Sequence, residues 1–159
     1  MIFNLTKFLD EKSQKSDFFW YDFIINIWVC WFKKNWELKI ENWKIKDDFI
    51  QIWRIFNLTT KKEILVPIFF EFWPIKSIAC SENIVYEKNV LWEENYVDME
   101  SFAVEFVADK FKIPRIILKV PVDEVWDETK NFDFEKALKL LEGNIDYKLL
   151  IEKIREYLK

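Results

Sequence analysis

The stretch Val97-Asp98-Met99-Glu100-Ser101-Phe102-Ala103-Val104, continued through Lys112-Ile113-Pro114-Arg115-Ile116-Ile117-Leu118-Lys119-Val120 to Asp123, decides how this chain is read. Met99, Phe102, Ala103, Phe106, Val107 and Phe111 recur at helical spacing, which predicts an amphipathic helix near 98–112. Pro114 stops that helix, since proline has no N–H to continue it. Arg115–Val122 then reads as a near-continuous apolar run, the pattern of a strand buried on both faces.

Working outward, Asp22–Val29 has the same buried-strand character. Asp48–Phe56 and Glu63–Phe70 read as strands joined by the turn Asn57–Lys62, and Ser77–Tyr86 as a further strand. Phe3–Lys15 reads as a helix with Phe8 and Leu9 inward. Toward the end, Asp133 is a suitable N-cap for a helix over 134–142, and Gly143 falls where a C′ glycine belongs. Asp146 can cap a last helix running through Tyr157. Strands alternating with helices predict an α/β domain, a three-layer sandwich around a central mixed sheet.

With 159 residues, the chain suffices for a single domain over 1–159 and is short for two. Its 51% apolar and 33% charged content is that of a globular protein. A net charge of −4 argues against nucleic acid as the main partner. The absence of His excludes His-dependent triads and His-ligated metals, and two cysteines, Cys30 and Cys80, make neither a Cys-based zinc site nor a secreted disulfide framework. No metal is expected, and the compartment these features imply is the cytoplasm. Met1–Lys15 is too polar for a secretory signal. The longest apolar stretch, Phe18–Phe32, is broken by Asp22 and Asn26 and is too short to span a bilayer, so no membrane partner is expected.

Two counts are abnormal together: glycine appears once and tryptophan nine times, where ordinary usage predicts roughly 11 glycines. Asn35-Trp36 and Asn42-Trp43 stand where Asn-Gly would make an ordinary hairpin turn, and Trp28 and Trp31 stand where a strand would run into a glycine loop. An indole is a poor residue for φ > 0. The hypothesis that follows is that the tryptophans are glycines in the living protein, from UGA codons reassigned to glycine; the Lys-, Ile- and Asn-rich composition suits an AT-rich gene. The alternative is a truly Trp-rich protein with an aromatic core or a surface that stacks sugars or single strands.

The Val97–Val104 segment, followed by the Ile113-Pro114 strand and then Asp123, resembles the nucleoside phosphorylase and nucleosidase family, whose members carry a V-D-M-E-S/G-A-A helix start and an I-P strand ending in Asp. With glycines restored, Ile25–Trp31 resembles that family's I-N-x-G-x-x-G loop, Lys44–Ile55 its K-x-G-D-x-V strand, and Ile78–Val85 the strand lining the base pocket. The resemblance covers most of residues 20–125, and Met1 aligns well inside the family pattern. It implies a nucleoside phosphorylase-like fold incomplete at the N-terminus, with a sheet edge exposed where an early strand is missing.

It also implies an activity: cleavage of the N-glycosidic bond of a purine-type nucleoside, by phosphate or by water, in nucleoside salvage. No cofactor is implied beyond phosphate as co-substrate of one route. By the same resemblance Asp123 is the general acid that protonates the departing base, a task that needs a raised pKa in a partly dry pocket. Glu100 accepts hydrogen bonds from the ribose hydroxyls, and Met99 packs against the sugar. Ile84 and Val85 line the base pocket, and Trp28, Val29, Cys30 and Trp31 form the phosphate and ribose loop, where backbone N–H groups could meet an anion. The partner is a small-molecule nucleoside, and a homo-oligomer with sites near subunit contacts is expected. Three positions depart from the pattern: Val122 where members usually have Ser before the acid, Ile84 where many have a base-stacking Phe, and Asp47 in place of the glycine of the G-D pair. These departures motivate an alternative, a catalytically degenerate member that binds a nucleoside without cleaving it.

Overall fold

The computed structural model describes residues 23–33, 49–71, 73–85, 91, 93–125, 133–144 and 146–157. The predicted helix over Phe3–Lys15 and the tryptophans at 20, 36, 43, 92 and 126 lie outside them.

Six strands and three helices are described in chain order: β1 (Ile24–Phe32), β2 (Ile50–Asn57), β3 (Glu63–Leu65), β4 (Ile75–Cys80), β5 (Tyr96–Asp98), α1 (Ser101–Lys110), β6 (Arg115–Glu124), α2 (Phe134–Asn144) and α3 (Tyr147–Tyr157). The sheet is mixed. β1 runs parallel to β6 along its whole length, with a register shift between Cys30 and Trp31, and antiparallel to β5. β4 runs parallel to both β2 and β5.

One further pairing changes the architecture. Ile50 and Gln51 of β2 lie antiparallel to Lys119 and Leu118 of β6. The sheet therefore closes into a ring, β2-β4-β5-β1-β6 and back to β2, with β3 added along the second half of β2. In place of the expected open three-layer sandwich the protein has a closed barrel with helices packed against it. Closure also alters the expectation of an exposed edge, because every strand of the ring has two neighbours and β3 is the edge among the described strands.

β6 divides the core by the strand period of two. Ile116, Leu118, Val120 and Val122 pack with Val29 and Phe49 under Ala137 and Leu141 of α2 and Leu150 and Ile154 of α3. Ile117, one residue out of phase, packs with Cys30, Ile52, Ile55, Ile78 and Cys80, and Phe102 and Val104 of α1 lie against that second cluster. α1 is pinned to the same strand by charge. Arg115 at the start of β6 is bidentate to Glu105, donating from Nε to Oε2 at 2.8 Å and from Nη2 to Oε1, with both side chains buried.

The local expectations mostly hold, with shifted bounds. α1 is shorter than predicted, and Phe106 is 57% exposed rather than inward, because Glu105 takes the buried position beside it. The turn after β2 is built by Asn57, whose Oδ1 accepts from the N–H groups of Thr59 and Thr60. β3 stops at Leu65 and β4 at Cys80, so the predicted strands to Phe70 and Tyr86 continue as irregular chain where described. Asp146 caps α3, its Oδ1 accepting from the Leu149 N–H at 2.9 Å. Gly143 is not a C′ residue: α2 runs on to Asn144, and Gly143 has no positive φ.

Candidate functional site

Met99 and Glu100 fill the two-residue bend between β5 and α1, and Glu100 is the N-cap residue. The side chain that caps the first turn is Asp98: its Oδ2 accepts from the Ser101 N–H at 3.1 Å and from the Ser101 hydroxyl. Glu100 is therefore free of the capping task. Its Oε2 accepts only a long bond from the Met99 N–H at 3.4 Å, and its side chain is 28% exposed, half-turned to solvent at the positive end of α1.

Beneath this bend is a charge that the sequence reading missed. Lys119, fully buried in β6, places Nζ 2.6 Å from Asp98 Oδ2 and 3.7 Å from Glu100 Oε2. The contact to Asp98 is an ion pair, and Asp98 Oδ1 has no hydrogen-bond partner. Burial pushes the Lys119 pKa down, but the Asp98 and Glu100 carboxylates pull it up by more, so it stands above the ordinary 10.5. Glu100 is raised above 4.5, first by burial and then by Asp98, against the lowering pull of Lys119. A signal existed in the sequence: a lysine inside an apolar buried-type run must find a carboxylate, and the motif itself holds two, Asp98 and Glu100.

Two cysteines flank this group. Cys80 is the register partner of Asp98, and Cys30 on β1 lies one residue before Trp31, which pairs with Val97. Burial, followed by the Asp98 charge, pushes the Cys80 thiol up to about 12 and the Cys30 thiol well above its ordinary 9.0. Both are free, buried thiols rather than nucleophiles. Among the described residues no cluster of three His, Cys, Asp or Glu is arranged to hold a metal ion.

The remaining expected residues distribute as follows. Asp123 lies four residues beyond Lys119 on β6, in register with Trp31; Trp31 pairs with Val97, Val97 with Ala79, and Ala79 with Phe56, one rung across the sheet. β5 and β6 thus flank β1, and Lys119 ties β6 to the bend that carries Met99 and Glu100. Val85 joins the cluster of Leu58, Ala79, Leu91, Val97 and Val125 against which Trp31 packs, whereas Ile84 is 41% exposed. Both follow β4 rather than lying in a strand.

The loop expected at Trp28, Val29, Cys30 and Trp31 is a correction: all four are inside β1, and Val29 and Cys30 are fully covered. β6 pairs with this stretch on both sides of a register shift between Cys30 and Trp31, so it stays in the sheet where a loop would leave it. None of the four described tryptophans (28, 31, 53 and 73) has a positive φ; among the described residues without glycine, only Lys61 and Lys112 do. Backbone conformation therefore gives these four no need of glycine. No described helix is long and apolar enough to cross a membrane.

No protein-family model matches the chain, and no curated protein sequence does. Solved structures do. A point variant of the nucleosidase MTAN of Chlamydia trachomatis superposes with a TM-score of 0.65 at 17% identity, over 87% of this chain and 66% of that one. The Helicobacter pylori MTAN, solved with 5′-methylthioadenosine in the active site, gives 0.60 at 13% identity over 85% and 68%. The 5′-methylthioadenosine nucleosidase of Arabidopsis thaliana gives 0.56 at 19% identity over 87% and 62%. The chain spans less than two thirds of the length of the Chlamydia and Arabidopsis proteins. At these identities the likeness is one of fold, and the fold of this chain is that of the 5′-methylthioadenosine nucleosidases.

Proposed function

We propose that this chain belongs to a nucleosidase that cleaves the N-glycosidic bond of a purine nucleoside, with 5′-methylthioadenosine as the substrate to try first. The observation that carries the reading is Glu100: a half-buried carboxylate at a helix N-terminus, relieved of capping by Asp98 and held beside a buried lysine, on a nucleosidase fold. Such a carboxylate suits the ribose hydroxyls, because an ionised acceptor makes the stronger hydrogen bonds. Met99 packs against the sugar. Asp123, at the end of β6, protonates the base as the C1′–N bond breaks and its electron pair leaves with the base.

Water rather than phosphate is the attacking group in this reading. Arg54 is engaged by Glu94 at 2.8 Å and by Glu63 and Glu93, Arg115 by Glu105, and Lys119 by Asp98 and Glu100. A phosphate dianion would have to enter beside carboxylates that already hold these cations. Release of adenine from 5′-methylthioadenosine, with and without inorganic phosphate, tests the reading. The expected result is release that does not need phosphate and that falls about 10²-fold or more in Asp123→Asn. Unchanged turnover in that variant removes Asp123 from the reaction.

One observation favours the degenerate reading: Val122 is turned into the apolar cluster under α2 and α3, so no hydroxyl there orients Asp123. Saturable nucleoside binding without adenine release would establish it. The glycine reading of the tryptophans rests, at positions 28 and 31, on space instead of φ, since both stand on β1 in register with Lys119 and Asp123. The codons at the nine positions, UGA or UGG, decide between glycine and tryptophan.

A further inference from the structure

We propose that Lys119 is a positioning residue of this site: its buried ammonium, bridging Asp98 and Glu100, keeps the Glu100 carboxylate ionised and aimed for the ribose hydroxyls. The inference rests on the nucleoside-cleavage reading for what Glu100 binds, and on geometry alone for what Lys119 does to Glu100.

Three elements converge on one ammonium. β5 brings Asp98, the N-terminus of α1 brings Glu100, and β6 brings Lys119, with Nζ at 2.6 and 3.7 Å from the two carboxylates. The asymmetry divides the labour. Asp98 is fully buried and spends Oδ2 on the ammonium and on both donors of Ser101, so it anchors the lysine and the helix start. Glu100 is partly exposed and has the looser contact, so it can turn a carboxylate oxygen to a ligand without breaking the anchor. The Arg115–Glu105 pair fixes α1 on the same strand ten residues from Glu105, which keeps Glu100 over Lys119.

The charge relation is directional. Burial disfavours an ionised Glu100, and Asp98 disfavours it further; Lys119 is the cation that opposes both. The other titratable groups facing the site are Cys30 from β1 and Cys80 from β4, and both thiols stay protonated across the neutral range. The acid limb of ribose binding is therefore read at Glu100.

The test is carboxyl-carbon NMR of glutamate-labelled protein, with the Glu100 signal assigned by its loss in Glu100→Gln. It is paired with the pH dependence of KM and kcat for 5′-methylthioadenosine. In Lys119→Met the Glu100 titration moves to higher pH, and KM at neutral pH rises about tenfold or more, with the smaller effect on kcat. Lys119→Arg keeps the wild-type titration. Lys119→Met/Asp98→Asn, which leaves no unpaired buried charge, keeps the fold if the single variant loses it and shows the shift without Asp98. A folded Lys119→Met whose Glu100 titrates as in wild type, or a double variant whose Glu100 titrates as in Asp98→Asn alone, overturns the proposal. If the titration shifts but wild-type protein neither binds nor cleaves 5′-methylthioadenosine, the role of Lys119 stands and the nucleoside reading fails.

Discussion

The two faces of β6 are made from alternate residues of one strand, yet they are held by different physics. On one face Ile116, Leu118, Val120 and Val122 pack in an apolar cluster with Val29 of β1, Phe49, and side chains of α2 and α3. On the other, Arg115 meets Glu105 and Lys119 meets Asp98 and Glu100, all packed beneath α1. The first face gains free energy roughly in proportion to buried area and tolerates volume-conserving change. The second gains little net stability from its ion pairs, because desolvation offsets attraction, and it fails badly when one partner is lost. A strand that needed only to hold the barrel together would repeat the first face twice. The second face places charge, which is what a site requires.

Removing one charge should therefore be the largest single effect. Lys119→Met is expected to lose about 3–5 kcal/mol in urea unfolding, because Asp98 stays buried without its cation. Adding Asp98→Asn should recover much of that loss, a strong non-additivity between neighbours. If the two losses simply add, the charged face behaves like the apolar one and the contrast collapses. Leu118→Ala, one residue away on the other face, is expected to lose about 2–5 kcal/mol by the same measurement. Its effect should combine additively with changes at Asp98, because the two side chains share no partner.

The two faces were not equally legible in the sequence. The apolar period and Pro114 locate α1 and β6, Asp146 locates the start of α3, and the buried-type runs locate β1 and β6 as strands. Glu100 and Asp123 were legible as a motif. Lys119 was not, because a window that counts apolar residues reads Arg115–Val122 as one uniform strand and averages over a lysine. Phe106 misled for a related reason: the helical period was right, but Glu105 took the buried position to meet Arg115. Barrel closure rests on Ile50 and Gln51 meeting Lys119 and Leu118, a pairing between distant segments that no local pattern announces.

An intermediate effect is expected at high pH, where the buried groups at the charged face titrate. Cys30 and Cys80 have folded pKa values above their ordinary 9.0, so the folded state holds protons that the unfolded chain gives up, and stability falls as pH rises beyond 9. Lys119 adds to this. Its folded pKa lies above 10.5, so its contribution is complete below 10.5 and is lost as pH climbs through the folded value. Melting temperature measured from pH 8 upward should decline, and Cys30→Ala/Cys80→Ala should flatten the first part of that decline. Leu118→Ala should lower the whole curve without changing its slope.

The smallest effect lies in the cover of the apolar face. Gly143 is inside α2 at an ordinary helical φ, with open space where a Cβ would go. Gly143→Ala should stabilise the protein by roughly 0.5–1 kcal/mol in urea unfolding. A loss instead would restore the C′ role that the sequence suggested.

The most direct test of the account is calorimetric titration of 5′-methylthioadenosine into wild-type protein and into Glu100→Gln at neutral pH. The account predicts saturable binding by wild type, weakened about tenfold or more when the carboxylate becomes an amide, since a hydrogen bond to a charged group is lost. Equal affinity in the two proteins, or no binding by wild type, would contradict it.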